Sequence, residues 1–278
     1  MRNLQILPAA AAAPSDLREA MLDAFSDYAA PMRLSQSDFD LMMRQRGLDT
    51  ASSRIAVVDG VIAAIWLTSV RDGHGYLIAS GTRPGRRSQG LARTMAAACL
   101  AHLRDRGVAS FQTEVLRSND SAHRLYQSLG MTIRRELDCY RLTAQPDAPP
   151  ALVRSVPWKD VKDHVGALRD WAPSWQNSDA AISAISEHLT FLASFDGEML
   201  VACTVFNAAN GTVHQIAVRE GARRRGKGLS LLAAAKQASG GADLRLINVD
   251  GQDAGFGALM RRAGAEETIG QYELYMAL

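Results

Sequence analysis

Apolar and polar positions along this chain follow two rhythms, and the same succession of rhythms occurs twice. Asn3 to Leu7 is a short apolar run that reads as a strand. Leu17, Met21, Ala24 and Phe25 then recur at helical spacing, which predicts a helix from a capping Ser15 through about Ala29. A second helix is expected over Ser37 to Arg46. Arg54 to Val58, the Asp59-Gly60 pair and Val61 to Ser69 predict a hairpin, because Asp-Gly suits the tight turn whose twist matches the strands. Tyr76 to Thr82 reads as a strand, Leu91 to Arg106 as a helix ended by Gly107, and Phe111 to Leu116 as a strand. Asp120 to Leu129 reads as a helix ended by Gly130, and Thr132 to Leu142 as a closing strand.

The second half repeats this order. Helices are expected at Val161 to Asp170 and Asp179 to His188, a hairpin at Leu192 to Val205 and a strand at Thr212 to Val218. A helix follows at Leu229 to Ser239, then a strand at Leu244 to Val249, a helix at Phe256 to Ala263 and a strand at Ile269 to Met276. Landmarks keep nearly constant spacing. Arg83, Gly85, Arg87 and Gly90 recur as Arg219, Gly221, Arg223 and Gly226; Asp59-Gly60 recurs as Asp196-Gly197, and Leu129-Gly130 as Ala263-Gly264. Matches in the same order predict two copies of one domain. Thr143 to Pro150 holds three prolines and reads as a linker. The expected boundaries are therefore 1–143, a linker at 144–150, and 151–278, each copy a mixed α/β (α+β) domain whose helices cover a mixed sheet.

Composition narrows the function classes. The chain has 278 residues, enough for a core in each half, and its formal charge of +2 argues against binding driven by a strongly basic or acidic surface. Nucleic acid and membrane are therefore not expected partners. The longest apolar runs fall far short of the ~20 residues of a membrane span, and the N-terminal stretch is a poor secretory signal, interrupted by Gln5 and Pro8. A cytoplasmic protein is expected. Cys99, Cys139 and Cys203 are widely spaced and form no C-x-x-C, and no two of the six histidines stand four apart, so neither a disulfide framework nor a metal site is expected.

The chemistry sits where a strand runs into an Arg/Gly loop and then a long helix. The first N–H groups of a helix lack internal partners, and the macrodipole makes that end an anion site. In the first copy those donors lie around Arg87, Ser88, Gln89, Gly90, Leu91 and Ala92, with Arg86, Arg87 and Arg93 expected to add charge. In the second they lie around Arg223, Arg224, Arg225, Gly226, Lys227 and Gly228. A solvated basic turn is the plain alternative; the flanking elements and the recurrence weigh against it. Neither loop carries the G-x-x-x-x-G-K-[ST] pattern of nucleotide-triphosphate sites or G-x-G-x-x-G.

Arg87-x-x-Gly90-x-Ala92 and Arg223-x-x-Gly226-x-Gly228 resemble the [Q/R]-x-x-G-x-[G/A] motif of the GNAT acyltransferase superfamily. Asn119-Asp-Ser-Ala122-His-Arg-Leu125-Tyr126 through Gly130-Met131 resembles its second motif. The resemblance covers nearly all of both copies. It implies tandem N-acetyltransferase domains with a splayed mixed sheet, acetyl-CoA as donor and a small-molecule or peptide amine as acceptor. It further implies that loop amides hold the CoA pyrophosphate, that the strand ending at Gly81 and Thr82 pairs with the pantetheine arm, that Asn119 and Ala122 lie at the cofactor, and that Tyr126 protonates the departing thiolate.

Acyl transfer to an amine needs a base, donors for the tetrahedral oxyanion and an acid for the thiolate. The amide near Thr82 is a candidate donor, and Tyr126 a candidate acid that stays protonated at neutral pH; its plain alternative is a core aromatic beside Leu125 and Leu129. Glu114 is a candidate base or water relay, or an ordinary solvent-facing strand residue. In the second copy Met260 falls at the position of Tyr126, Asp253 at that of Asn119 and Asn248 at that of Glu114, so catalysis is expected in the first copy. Trp171 and Trp175 read as interface packing or as an acceptor pocket. The rival reading is a non-catalytic CoA-binding regulatory or scaffold protein. The acceptor's identity and the oligomeric state, a homodimer included, are written in none of these motifs.

Overall fold

A computed structural model describes residues 3–27, 33–149 and 152–278. The chain forms two compact units whose limits cross the sequence halves. The first contains Met1–Val115, Asn119–Arg134 and Glu273–Leu278; the second contains Leu116–Ser118 and Arg135–Tyr272. The exchange falls in the closing strands: most of the strand that ends the first half belongs to the second unit, and the chain's last six residues belong to the first.

In the first unit β1 (Leu4–Pro8), β2 (Arg54–Val58), β3 (Val61–Arg71) and β4 (His74–Thr82) form an antiparallel run. β5 (Ser110–Leu116) joins β4 in parallel, but only at His74↔Ser110, Gly75↔Phe111 and Tyr76↔Gln112. Beyond Tyr76 the two strands part, and backbone groups of β4 become available to a ligand. The hairpin turn is as the sequence predicts, with Asp59 and Gly60 both at positive φ (53° and 81°). α1 (Pro14–Ala24) begins one residue before the expected Ser15; Ala13 is the cap position and Pro14 takes the first turn, where no N–H is required of it. The helix ends at Ala24, with Phe25 at its C-cap, short of the expected Ala29; residues 28–32 lie outside the described residues. α2 (Gln36–Arg46) is capped by Ser35, whose hydroxyl accepts the Asp38 N–H. α3 (Leu91–Asp105) buries Leu91, Met95, Cys99 and Leu103 at helical spacing, and Trp66, Ile65, Leu77 and Phe111 complete the core. α4 (Asp120–Ser128) follows β5.

The second unit includes most of β6 (Thr132–Leu142), with β7 (Arg154–Ser155), β8 (Thr190–Asp196), β9 (Met199–Asn207), β10 (Thr212–Val218), β11 (Leu244–Asp250) and part of β12 (Glu266–Ala277). β6 pairs antiparallel with β11, β11 parallel with β10, and β10, β9, β8 and β7 continue antiparallel. α5 (Asp179–Ala184), α6 (Lys227–Ala238) and α7 (Ala254–Ala263) supply the helices. The expected helix over Val161 to Asp170 is instead a pair of 3-10 turns, Trp158–Asp160 and Val165–Leu168. Val161, Val165 and Leu168 are still buried, so the apolar spacing is honoured, while Gly166 and the nearby Pro173 disfavour a longer helix. The second hairpin turns at Gly197-Glu198, one residue later than its counterpart, with Gly197 at φ 60°. Among the described residues no helix is long and apolar enough to cross a membrane.

Candidate functional site

In the first unit β4 ends at Thr82, a 3-10 turn spans Pro84–Arg86, and α3 starts at a glycine cap. Ser88 (φ 60°) and Gly90 (φ 75°) both adopt the left-handed conformation, a backbone path that turns successive N–H groups toward one side. Ser88, Gln89 and Gly90 are exposed. The first turn of α3 has no side-chain cap and no acidic residue, so its donors and the positive end of the helix dipole are presented to an anion. A Cβ built on Gly90 meets nothing within 4 Å.

The arginines are placed differently from the expectation that they add charge to this turn. Arg87 makes a two-point pair with Asp27, and its guanidinium also donates to the carbonyls of Thr82 (3.2 Å) and Ala24 (3.0 Å). Hydrogen bonds from Arg87 hold the Asp27 carboxyl below its usual range. Arg83 pairs with Asp23 at 3.2 Å, Arg86 lies 3.8 Å from Asp59, and Arg93 donates to the Ser128 hydroxyl at 2.9 Å. The Arg87 side chain thus ties the loop to α1 and the residues after it, and the donors left at the turn are backbone N–H groups. Gly81 is a packing glycine: a Cβ there would stand 2.7 Å from that of Ala24.

Asn119 caps α4, its Oδ1 accepting the Ala122 N–H at 3.1 Å. Tyr126 is buried, its ring edge-on to Trp66 at 6.2 Å and 76°. Glu114 accepts the phenolic hydrogen of Tyr76, so the strand position read as a base is coupled to a tyrosine that the sequence reading missed. Burial and the adjacent Glu114 push the Tyr76 phenol well above its ordinary range; Arg46 acts against this and Glu273 adds to it. Glu273 is only 1% exposed and lies 3.8 Å from the Arg134 guanidinium. Tyr76 stood in a strand already singled out, but nothing in the pattern of the second half assigns Glu273 to the first unit.

The second loop repeats the first. Arg223 makes a two-point pair with Asp170 (2.8 and 3.0 Å) and donates to the Val218 carbonyl at 2.8 Å; Arg224 and Gly226 adopt φ 60° and 78°. Its surroundings differ. A Cβ on Gly226 would stand 2.2 Å from Pro149, whose carbonyl accepts the Ser230 hydroxyl at 2.8 Å, so the proline-rich segment lies against this loop. Lys227 donates to the Ser194 hydroxyl at 3.1 Å. Gly228 gives room to Leu259, whose nearest carbon would be 2.9 Å from an added Cβ. Beside the loop is a cavity of about 520 Å³ that runs along β10 and is lined by Arg223, Arg224 and Lys227 as well as by His214, Asn177 and Asn248. Asp253 caps α7 as Asn119 caps α4, and its other oxygen accepts the Trp171 indole N–H at 3.0 Å. Trp171 lines the cavity, Trp175 is buried in the same unit, and Met260 is fully buried.

Residues 16–131, which carry both the Gly90 turn and α4, match the model of the acetyltransferase (GNAT) family. That segment, less than half of the chain, is similar to the GNAT family. A mycothiol acetyltransferase of Thermomonospora curvata is 33% identical over 110 residues, 39% of this chain and 37% of that protein. One of Thermobispora bispora is 32% identical over 116 residues, 39% of each. The match thus spans well under half the length of these curated relatives. A GCN5-related N-acetyltransferase from Sphaerobacter thermophilus superposes with a TM-score of 0.76 at 17% identity, covering 99% of this chain and 95% of that one. A tandem GNAT protein from the clavulanic acid biosynthesis pathway gives 0.72 at 14% identity, covering 99% and 98%. Both share the fold, so this chain is a mixed α/β protein with the fold of these acetyltransferase structures.

Proposed function

We propose that the first unit is an N-acetyltransferase domain that moves an acetyl (acyl) group from acetyl-CoA to the amine of a small-molecule or peptide acceptor. The observation that carries this is the exposed Ser88–Gly90 turn opening onto an uncapped α3, in the matched segment that also holds Tyr126. The pyrophosphate meets the amides of residues 87–92, and the pantetheine arm lies along β4 toward Gly81 and Thr82, where that strand parts from β5. Asn119 and Ala122, at the start of α4, shape the cofactor side of the cleft. The amine nitrogen attacks the thioester carbonyl, the C–N bond forms as the C–S bond breaks, and Tyr126 gives its proton to the leaving sulfur. Glu114, through Tyr76 or directly, receives the proton of the amine. In the second unit the amides around residues 223–228 hold a CoA nucleotide in the same way. The relatives' name makes the acceptor of a mycothiol acetyltransferase the first one to try. The test is CoA thiol release over a panel of amines, for the native chain, Gly90→Glu and Tyr126→Phe. Tight CoA binding with no release from any amine would favour the regulatory or scaffold reading.

A further inference from the structure

We propose that the second unit is a reaction centre of its own, in which His214, oriented by Asn177, takes the proton of an attacking amine and returns it to the sulfur of an acyl-CoA thioester. This rests on reading the Gly226 loop as a CoA cradle.

The cavity fits such a ligand. Its volume of about 520 Å³ is within the range of small-molecule sites. It is cationic at Arg224 and Lys227, apolar along Val218 and Phe256, and neutral-polar at His214 and Asn248. That sequence of surfaces suits a diphosphate continued by a pantetheine arm with a carbonyl at its end.

His214 stands where the strands open. β10 and β11 are in parallel register only at Thr212↔Arg245 and Val213↔Leu246. The next residues are His214 and Ile247, and Asn177 bridges them. Its Nδ2 donates to the Ile247 carbonyl at 2.8 Å, and its Oδ1 lies 3.1 Å from His214 Nδ1. A carbonyl can only accept, so the amide of Asn177 has one orientation, and its oxygen faces the imidazole. Nδ1 must therefore carry the hydrogen, and Nε2 is the basic nitrogen. β10 also bulges against β9 between Val213 and Gln215, a device that re-aims a side chain. Asn177 is itself fixed: it is 2% exposed, and its backbone carbonyl accepts Gln215 Nε2 at 2.6 Å.

The proton inventory closes without a tyrosine. A neutral amine attacks the carbonyl carbon and forms the C–N bond. Its N–H, made strongly acidic in the tetrahedral adduct, passes to Nε2. The carbonyl re-forms, the C–S bond breaks, and the imidazolium protonates the thiolate. The products are an amide and a free thiol, and His214 is again neutral. Burial pushes His214 down to about 4, so it is uncharged at rest and its imidazolium is acid enough for a thiolate. One group thus serves as base and acid, which accounts for a buried Met260 where the first unit has Tyr126.

The experiment uses the full chain carrying Gly90→Glu, so that CoA chemistry is left to the second unit, with hydroxylamine as acceptor and acetyl-CoA as donor. CoA binding by calorimetry and thiol release above the solution rate are expected. His214→Gln should lower kcat about 10²-fold with the KM for acetyl-CoA changed less than about twofold. Nitrogen-15 spectra of labelled histidine should assign the Nδ1–H tautomer to His214, which needs no variant of this site to be active. Failure of the folded Gly90→Glu chain to bind CoA, release no faster than in solution, an unchanged kcat in His214→Gln, or an Nε2–H tautomer would each overturn the proposal. The first-unit reading fails on a different result, full thiol release by Tyr126→Phe in a chain whose second unit is silenced by His214→Gln.

Discussion

Arg87 and Asp27 meet in a two-point ion pair, Nη2 to Oδ1 at 2.8 Å, and Arg223 and Asp170 repeat the arrangement in the second unit. Both partners in the first pair are about half exposed, so solvent screens the pair and it contributes little stability. What it fixes is the path of the loop. Arg87→Lys keeps the charge but cannot span Asp27, Thr82 and Ala24 together. CoA affinity of the first unit should fall about tenfold while the melting temperature moves little, as calorimetry and thermal unfolding would show. The Asp27 carboxyl is held below its usual value, so the pairing is complete above the unfolded pKa of ~3.9 and is lost as pH falls through the lower folded value. Affinity should therefore be insensitive to this pair between pH 5 and 8.

Gly90 and Gly226 have nearly the same φ, 75° and 78°, but different neighbours. An alanine costs ~1–2 kcal/mol at either from the left-handed backbone. At Gly226 its Cβ also meets Pro149, an overpacking of ~1–3 kcal/mol. Chemical denaturation should rank Gly226→Ala as the more damaging, and Pro149→Gly should remove the difference. At Gly90 the space is open, so Gly90→Asn should fold and bind CoA, whereas Gly90→Glu should fold and lose first-unit binding by repelling the pyrophosphate. Equal affinity of Gly90→Glu and Gly90→Asn would remove this turn from the cradle.

Tyr126→Phe keeps the ring that sits edge-on to Trp66. Melting should be nearly unchanged and kcat lower, on the order of 10²-fold or more if chemistry limits the rate, with KM for acetyl-CoA little altered. Tyr126→Ala should lose ~3–5 kcal/mol of stability as well. A core-only role for Tyr126 predicts native kinetics in the Phe variant.

All three cysteines are buried. Burial pushes the Cys99 thiol up to about 11 and the Cys203 thiol up to about 12, and raises Cys139. At pH 8 about one Cys99 in a thousand would be thiolate, the reactive form. A thiol reagent should titrate almost none of the three in the folded chain and all three in denaturant. Rapid native labelling would contradict the burial, and slow labelling makes the coenzyme-release assay free of protein background.

Most of the fold was legible because strand and helix periodicity survive in short local windows: β4, α3 and α4 of the first unit lie within a residue or two of expectation. The failures have local causes. Val161, Val165 and Leu168 carry a helical spacing that two tight turns satisfy equally well. The motif gives Arg87 its residue type, but the pairing of its side chain with Asp27, sixty positions earlier, is a tertiary fact. Glu114 is a candidate by its strand position alone, and its bond to Tyr76 depends on which β4 residue lies nearest when the two strands run parallel. Glu273 could not be found, because pattern assigns β12 to the second half while space assigns its end to the first unit.

That exchange of closing strands has a kinetic consequence. The N–H of Leu278 bonds the Ala109 carbonyl at 3.0 Å within the first unit, and residues 273–278 are part of that unit. The unit that is translated first therefore cannot finish its sheet until residue 278 has left the ribosome. Until then its β5 presents a sheet edge with open hydrogen-bonding groups, a template for any other strand. A chain cut at residue 143 would lack residues 273–278, which belong to the first unit.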